Sequence, residues 1–396
     1  MSQLRSSALV RLSLFALLLL LIAGLSGCSS TSLNGVTTTN NQTGAADSGV
    51  IPLGSGASAP QDISACDFNA DGKMDLLTVN GGSNNLSVFL GKGDGTFNSP
   101  TTVSLPANAV APVQAVCADF NGDGKLDLAV TFPQSQSVLI LLGNGDGTFA
   151  AGPSFSTGAN TAPYYISTGD LNNDGKADLL VGNQSGLNQV EVMLGNGDGT
   201  FTAATPLQIV EGVNIAIADF NGDGKMDIAY GDPSGGMRIR LGNGDGTFGP
   251  VDAMGLRAGT YVVAYDINGD GKMDVVGSGG LILLGNGDGT FNQLNASGVG
   301  GDVVAVGNFH GTVITQTVNN QPVQFKIADI AAITTAYPLM TVYAGVGDGT
   351  FTTPGTAYAA GDHPRAIAAG DFNGDGKTDF AVVSSADNTI GIILGK

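Results

Sequence analysis

A nine-residue motif, D-x-N-x-D-G-K-x-D, occurs six times in this chain of 396 residues, beginning at Asp67, Asp119, Asp170, Asp219, Asp266 and Asp371. A second motif, G-x-G-D-G-T-F, follows each of the first five copies and occurs once more from Gly345. Repetition at an interval of about fifty residues indicates a repeat architecture, in which each unit packs only against its neighbours.

Each unit contains four short segments with strand character. In the second unit, the apolar run Val113–Ala118 precedes the first motif and Asp127–Val130 follows it. The run Ser137–Leu142 comes next, and a fourth short run begins at Phe149. Glycine-rich turns separate these runs, and little helical periodicity is present, so we predict four strands per unit.

Seven such units predict an all-β fold, a seven-bladed β-propeller of four-stranded blades. An open solenoid is the competing architecture, but solenoids need atypical capping repeats and the chain shows none. The seventh unit stops at Lys396 before a fourth strand, whereas residues 48–53 stand where a fourth strand would precede the first unit. We therefore expect this N-terminal strand to close the ring.

The nine-residue motif also has the chemistry of a calcium loop. Calcium takes six to eight oxygen ligands, and the motif offers side-chain oxygens at positions one, three, five and nine. Position seven offers its main-chain carbonyl, which leaves the lysine side chain free to point into solvent, and the glycine at position six permits the sharp turn. An EF-hand is excluded because position twelve is not acidic, as at Thr78 and Val130.

We predict about six Ca²⁺ sites. Their ligands are Asp67, Asn69, Asp71, Lys73, Asp75; Asp119, Asn121, Asp123, Lys125, Asp127; Asp170, Asn172, Asp174, Lys176, Asp178; Asp219, Asn221, Asp223, Lys225, Asp227; Asp266, Asn268, Asp270, Lys272, Asp274; and Asp371, Asn373, Asp375, Lys377, Asp379. The alternative is a turn held only by side-chain-to-backbone hydrogen bonds. Three carboxylates within nine residues would then repel one another without a cation.

The charge of the chain has the same origin. Its formal net charge is −19, and 24 of its 32 aspartates lie in the nine-residue motifs and the G-D-G turns. Only 15 Lys and Arg are present, so nucleic-acid binding is disfavoured. The G-D-G sequence itself is a strong hairpin turn, and we favour that role over metal binding.

The sixth unit departs from the motif. Asn308 replaces the first Asp, His310 replaces Asn, and Asp329 stands at the ninth position after an insertion. We predict no calcium there, and we expect Gly311–Lys326 to project as a long loop.

The N-terminus resembles a bacterial lipoprotein signal. Arg5 and Arg11 flank the apolar run Leu12–Ala23, which ends in Leu25-Ser26-Gly27-Cys28. The resemblance implies a signal peptide over residues 1–27, lipidation of Cys28, a flexible tether over residues 28–48 and a propeller over residues 49–396. Ser29 favours sorting to the outer membrane, facing either the periplasm or the surface.

The two remaining cysteines, Cys66 and Cys117, lie just before the first two calcium loops. Successive strand positions point to opposite faces, so we expect two small buried thiols. A disulfide is the alternative, which an oxidising compartment would permit.

The pairing of D-x-N-x-D-G-K-x-D with L-G-N-G-D-G-T-F resembles the FG-GAP/VCBS repeat family, whose relatives include the calcium-bearing propeller of integrin alpha chains. The resemblance extends from about residue 49 to residue 396. It implies a calcium-binding propeller and a role in recognition or adhesion, without indicating the ligand.

Strand direction places the acidic loops on one face, so the opposite face is the better candidate for recognition. The residues five positions before each loop are expected to ring the channel mouth there. They are Asp62, Gln114, Tyr165, Asn214 and Tyr261, with Tyr164, His363 and Arg365 nearby. The alternative is that these are ordinary loop residues.

Catalytic features are scarce. The only histidines are His310 and His363, and no G-x-S-x-G motif is present. We therefore predict a non-enzymatic, monomeric, calcium-stabilised module that is anchored to the envelope and binds a protein or glycan. A scaffold subunit of an envelope assembly and an enzyme acting on polysaccharides are the alternatives; the absence of Trp weakens a lectin role.

Overall fold

The computed structural model describes residues 47–184, 189–209, 214–232, 236–253, 261–295, 298–318 and 321–396. They all belong to one compact unit, Gly44–Lys396. Every regular element in these ranges is a β-strand. The described residues therefore contain no helix that is long and apolar enough to cross a membrane. The predicted signal peptide, Cys28 and most of the tether lie outside the described residues.

The described strands follow in chain order: β1 (Asp47–Pro52), β2 (Pro60–Cys66), β3 (Asp75–Asn80), β4 (Asn85–Phe89), β5 (Thr101–Ser104), β6 (Ala115–Ala118), β7 (Asp127–Phe132), β8 (Ser137–Gly143), β9 (Phe149–Ser156), β10 (Pro163–Gly169), β11 (Asp178–Asn183), β12 (Gln189–Gly195), β13 (Phe201–Ala203), β14 (Leu207–Gln208), β15 (Ile215–Ala218), β16 (Asp227–Asp232), β17 (Gly236–Arg240), β18 (Asp252–Ala253), β19 (Val262–Tyr265), β20 (Asp274–Gly277), β21 (Leu281–Gly285), β22 (Phe291–Asn295), β23 (Val303–Gly307), β24 (Val313–Val318), β25 (Gln321–Lys326), β26 (Asp329–Ile333), β27 (Leu339–Tyr343), β28 (Thr356–Ala359), β29 (Pro364–Gly370), β30 (Asp379–Ser384) and β31 (Thr389–Ile393).

These strands form seven antiparallel blades. Blades one to five are β2–β5, β6–β9, β10–β13, β15–β18 and β19–β22, with β14 added beside β12 in the third. Blade six is β23-β26-β27-β28, and blade seven is β29-β30-β31 with β1 at its edge. Strand β1 pairs with β31 in antiparallel register, with Val50 opposite Gly391. The predicted seven-bladed propeller and its closing N-terminal strand are therefore confirmed.

The first strand of each blade is innermost. Each of β2, β6, β10, β15, β19, β23 and β29 contacts the first strands of both neighbouring blades, and the series closes from β29 to β2. The second strands β3, β7, β11, β20, β26 and β30 are buried at every residue, because each lies between two strands and two adjacent blades. Fourth strands such as β9 are largely exposed.

The hydrophobic core lies between the blades. Seven clusters of buried side chains each join two neighbouring blades, as Leu77 and Val88 of the first blade join Leu128 and Leu141 of the second. The cluster between the seventh and first blades contains Val383 and Leu76. Burial between blades therefore holds the ring together, with no single central core.

The insertion in the sixth unit is ordered. We expected Gly311–Lys326 to project as a long loop, but β24 and β25 pair as a hairpin, with Val313 opposite Lys326 and Val318 opposite Gln321. The first segment is rich in β-branched residues, and the Asn pair that follows it in the sequence is typical of hairpin turns. These features were visible in the sequence, and the loop prediction was wrong because it did not weigh them.

Candidate calcium loops and channel-mouth cavity

The first aspartate of each motif organises its loop through main-chain N–H groups. Oδ2 of Asp67 accepts the N–H of Gly72 at 2.8 Å, and Oδ1 accepts that of Asp71 at 3.1 Å. The bond from the position-six glycine recurs at 2.8 Å in all six copies. Gly72 has a φ of +80°, the left-handed conformation for which the sequence predicted glycine.

We expected the lysine side chain at position seven to be free to point into solvent. Instead, it forms an ion pair with the aspartate at position five. Nζ of Lys73 lies 3.5 Å from Oδ2 of Asp71, and the corresponding distance is 3.5–4.0 Å in all six loops. In the second copy, the N–H of Lys125 lowers the pKa of Asp123. These ion pairs are exposed, so each contributes little to stability.

The ninth aspartate is fully buried. One oxygen of Asp75 accepts the N–H of Phe68 at 2.9 Å, and the other accepts the N–H of Gly91 at 2.7 Å. Burial raises the pKa of Asp75, the two N–H groups oppose this, and the nearby carboxylates of Asp67 and Asp71 raise it further. The same arrangement recurs at all five other intact copies.

The degenerate sixth unit keeps this arrangement without the other motif residues. Asp329 accepts the N–H of His310 at 2.8 Å and that of Gly345 at 2.9 Å. The amide of Asn308, at position one, donates to the carbonyls of Thr312 and Ile327 at 2.7 and 2.6 Å. The ninth aspartate therefore has a structural role that does not depend on the rest of the motif.

The donor chemistry of the intact loops fits a hard cation. Each loop offers only oxygen, and three of its carboxylates are near enough for two of them to raise the pKa of the third. In the described part of the chain, no three His, Cys, Asp or Glu side chains are grouped so that they alone could hold a metal. A bound Ca²⁺ would therefore also need the Asn oxygen and the position-seven carbonyl.

The G-D-G turns close the hairpins between third and fourth strands and dock onto the preceding blade. Oδ1 of Asp94 accepts both the N–H and the hydroxyl of Thr96, so this carboxylate is engaged within the turn. The N–H of Gly95 donates to the carbonyl of Phe372 at 2.8 Å. The rings of Phe97 and Phe372 pack edge-on, with centroids 5.7 Å apart.

On the opposite face, a cavity of about 160 Å³ lies at the channel mouth. In six of the seven blades, the residue five positions before the loop lines it: Asp62, Gln114, Tyr165, Tyr261, Val303 and Ala366. The structure thus brings together four of the five residues that we predicted from the sequence. Asn214 is buried and does not line the cavity. His363 does not line it either; this side chain is exposed, and its Nδ1 lies 2.9 Å from Oδ1 of Asp362.

β-Bulges add three further side chains to the cavity; the sequence analysis named Tyr164 and Arg365 as nearby residues and missed Gln61. The register shifts between Pro60 and Asp62, between Pro163 and Tyr165, and between Pro364 and Ala366. A bulge turns an extra residue to the same side, and the extra residues Gln61, Tyr164 and Arg365 all line the cavity. A proline stands seven residues before the loop at all three bulges, but Pro112 holds the same position in the second blade, where the β6–β7 pairing has no register shift, so proline alone does not identify a bulge.

Three of the predicted ligand residues also connect neighbouring blades. The side-chain oxygens of Asp62, Gln114 and Asn214 accept main-chain N–H groups of the next blade. These donors are Ala115 at 3.2 Å, Ile166 at 2.9 Å and Val262 at 3.2 Å. Asn214 makes this contact and does not line the cavity, whereas Asp62 and Gln114 both make the contact and line the cavity.

The cavity contains an unusual carboxyl group. Burial raises the pKa of Asp62 to about 7, although the N–H groups of Ala115 and Ile63 oppose this shift. Burial also raises the pKa of Tyr165, with the neighbouring Tyr164 adding to it. The pKa of Tyr261 is raised chiefly by burial, and the neighbouring Asp62 and Tyr165 raise it further. The side chains of Asp62, Tyr165 and Tyr261 therefore lie close together.

The two cysteines are not free thiols. Sγ of Cys66 and Sγ of Cys117 are bonded, and their Cα atoms are 7.0 Å apart. We expected two small buried thiols at strand positions that are not equivalent, but both side chains are half-buried. They face each other across the interface of the first two blades, so the disulfide alternative is the one that the structure contains.

The FG-GAP-like repeat family matches this chain at residues 67–130, 119–181, 170–230, 219–277 and 326–382. These segments cover more than half of the chain, so the protein belongs to the FG-GAP-like repeat family. No curated protein matches the chain significantly.

Several solved structures share the fold. A lectin from Burkholderia pseudomallei aligns with a TM-score of 0.62 at 16% identity, over 86% of this chain and 96% of the lectin. A lectin from Agrocybe aegerita that recognises non-reducing terminal N-acetylglucosamine aligns with a TM-score of 0.50 at 23% identity, over 75% and 79%. BBS1N, solved in complex with ARL6DN, aligns with a TM-score of 0.58 at 12% identity, over 89% and 97%.

Proposed function

We propose that this protein is a calcium-stabilised binding module of the bacterial envelope, whose ligand is a protein or a glycan. The observation that carries the proposal is the cavity at the channel mouth. Corresponding residues of six blades converge there, together with three bulge residues. A purely structural ring would not need bulges at three blades that turn additional polar and aromatic side chains toward one cavity.

The fold is compatible with recognition. FG-GAP-like repeats form binding or scaffold modules, and two of the solved structures with this fold are lectins. At such low identity the likeness extends to the fold alone, so the ligands of those lectins are only starting points for a binding screen.

The remaining parts of the proposal concern stability and location. Six Ca²⁺ ions in the acidic loops would each join the first and second strands of one blade. A lipid on Cys28 would anchor the propeller to the outer membrane, and the propeller would act as a monomer. We propose no catalytic role and no nucleic-acid partner.

A scaffold subunit of an envelope assembly is the second candidate. It is favoured by the bonds from Asp62, Gln114 and Asn214 to neighbouring blades, which give three of the predicted ligand residues a structural purpose.

The test is a screen of glycans and envelope proteins, with calcium and with chelator. Any ligand found is then measured against a Tyr165→Ala/Tyr261→Ala variant and against Tyr337→Ala, which changes an exposed tyrosine outside the cavity. We expect the double variant to lose binding and Tyr337→Ala to keep it. Equal binding by both variants would refute the cavity as the ligand site. Co-purification in one fixed complex, without any separable ligand, would favour the scaffold.

A further inference from the structure

The depth of the channel-mouth cavity differs chemically from its rim. Asp62, Tyr165 and Tyr261 lie close together, whereas the one basic residue lining the cavity, Arg365, is exposed and donates from Nε to the hydroxyl of Ser385 at 3.3 Å. At about 160 Å³ the cavity is smaller than the ~300–1,000 Å³ of typical ligand pockets. It therefore suits a small group rather than a whole oligosaccharide unit.

Asp62 has no cationic partner among the described residues. Its carboxylate accepts the N–H groups of Ala115 and Ile63, and no Lys, Arg or His in the described ranges forms an ion pair with it. A carboxylate removed from water is costly unless a positive charge compensates it. The one basic residue lining the cavity, Arg365, donates to Ser385 and forms no ion pair with Asp62, so a positive charge for this carboxylate is what a ligand can supply.

Tyrosine rings form the wall beside this carboxyl. The centroids of Tyr164 and Tyr165 are 5.2 Å apart with their planes inclined by 59°, and Tyr261 lies near both Tyr165 and Asp62. Aromatic faces attract cations through the ring quadrupole, and the attraction is stronger where water is excluded. The formal net charge of −19 also raises the local concentration of cations around the protein.

We propose that the cavity binds the ammonium group of a small organic cation, with Asp62 as counter-ion and the rings of Tyr164, Tyr165 and Tyr261 as its aromatic wall. The inference rests on the proposed function because it assumes that this cavity is the ligand site. It adds that the ligand presents a positively charged nitrogen, primary or methylated. Asp62 and Tyr261 discriminate a cation from a neutral group of the same shape.

The proposal predicts a dependence on pH. The titratable and charged groups that line the cavity with Asp62 are the hydroxyls of Tyr164, Tyr165 and Tyr261 and the guanidinium of Arg365. Tyr165 and Tyr261 stay neutral at pH 5–8 because burial and neighbouring groups raise the pKa of both hydroxyls above the ordinary value. Affinity should therefore fall as Asp62 takes up its proton below about pH 7.

The experiment uses the lipid-free chain loaded with calcium and titrated calorimetrically with choline, ethanolamine and the neutral choline isostere 3,3-dimethyl-1-butanol. Tyrosine fluorescence is a second readout, because the chain has no Trp and three of its eight Tyr line the cavity. We expect choline or ethanolamine to bind and the isostere to bind at least about tenfold more weakly. The tighter of the two ammonium compounds shows whether the nitrogen is methylated or primary.

Asp62→Asn should weaken ammonium binding by at least about tenfold while keeping an acceptor for the N–H of Ala115. Asp146→Asn, in a turn on the opposite face, should leave it unchanged. Equal binding of choline and its isostere, or unchanged binding by Asp62→Asn, would overturn the inference. If no ammonium compound binds but the screen finds another ligand sensitive to Tyr165 and Tyr261, the inference fails and the proposed function stands. If nothing binds at the cavity, both fail.

Discussion

The carboxylate of Asp75 accepts the main-chain N–H of Gly91 at 2.7 Å, and this bond joins the two repeated motifs of the first blade. Its other oxygen accepts the N–H of Phe68 at 2.9 Å. Gly91 approaches the loop so closely that a Cβ there would lie 2.1 Å from the carbonyl oxygen of Met74. One contact therefore explains two motif positions: the ninth aspartate accepts the bond, and the first residue of the second motif must be glycine to approach closely enough to donate it. The bond recurs in every blade.

Asp75→Ala should destabilise the protein even without metal, because it leaves two buried N–H groups unpaired at a cost of about 1–3 kcal/mol each. Denaturant unfolding in chelator measures this loss. Asp329→Ala is the matched control, since Asp329 makes the same two bonds in a unit that lacks the ligand set. We expect equal losses in chelator and a larger loss for Asp75→Ala in calcium. A loss for Asp75→Ala that appears only in calcium would contradict the structural role.

Removal of calcium should lower the melting temperature. One site at 100-fold excess of calcium over its dissociation constant adds about 2.7 kcal/mol to the free energy of unfolding. Equilibrium dialysis should find about six ions per chain, and an Asp67→Asn/Asp71→Asn variant should bind about one fewer. A melting curve that does not respond to chelator would refute a stabilising role for the metal.

Loss of the disulfide should also destabilise the ring. Cys66 and Cys117 are 51 residues apart, and a cross-link closing a loop of this size contributes about 2–4 kcal/mol. Cys66→Ser/Cys117→Ser should therefore unfold at a lower denaturant concentration than the oxidised protein. A reducing agent should shift the wild type toward the variant and leave the variant unchanged. Two free thiols in the native protein, titrated under denaturing conditions, would exclude the cross-link.

The second position of the calcium loop should accept aliphatic residues better than Ala. Phe68 packs edge-on against Phe149 of the next blade, with ring centroids 5.7 Å apart. Two other blades have Leu171 and Ile267 at this position, both buried. Phe68→Leu should therefore cost less than about 1.5 kcal/mol, and Phe68→Ala about 3–5 kcal/mol. Similar losses for both variants would show that the aromatic contact itself is essential.

Asp62 should make the unliganded protein less stable as the pH rises. Its pKa is raised from 3.8 to about 7 in the folded state, so the folded chain holds this proton more tightly than the unfolded chain. Its contribution to stability is therefore fully present below about pH 4 and decreases up to about pH 7. Asp62→Asn should raise the melting temperature at pH 8 and change it little at pH 4. The same difference at both pH values would contradict the shift.

The sequence identified the blades because strand, turn and loop signals lie within single units. These local features can be recognised without a partner blade: the alternating runs, the G-D-G turns and the loop glycine Gly72. The hairpin β24–β25 was equally local and was missed only because the degenerate unit was treated as a loop. The ring of residues five positions before each loop was also predictable, since strand direction alone places it opposite the acidic loops.

Contacts between blades were not predictable in this way. Nothing in the local sequence shows that Asn214 bonds to Val262 instead of facing the cavity, or that Cys66 and Cys117 face each other.

By itself, the sequence determined the number of blades, the composition of each acidic loop and the face on which those loops lie. These properties follow from hydrogen bonding and strand alternation within units of about fifty residues. Only the tertiary structure decided which side chains join neighbouring blades and that burial at the channel mouth raises the pKa of Asp62. The reason is physical: closure of the ring brings together residues that are far apart in the chain, and their burial depends on the packing of both blades.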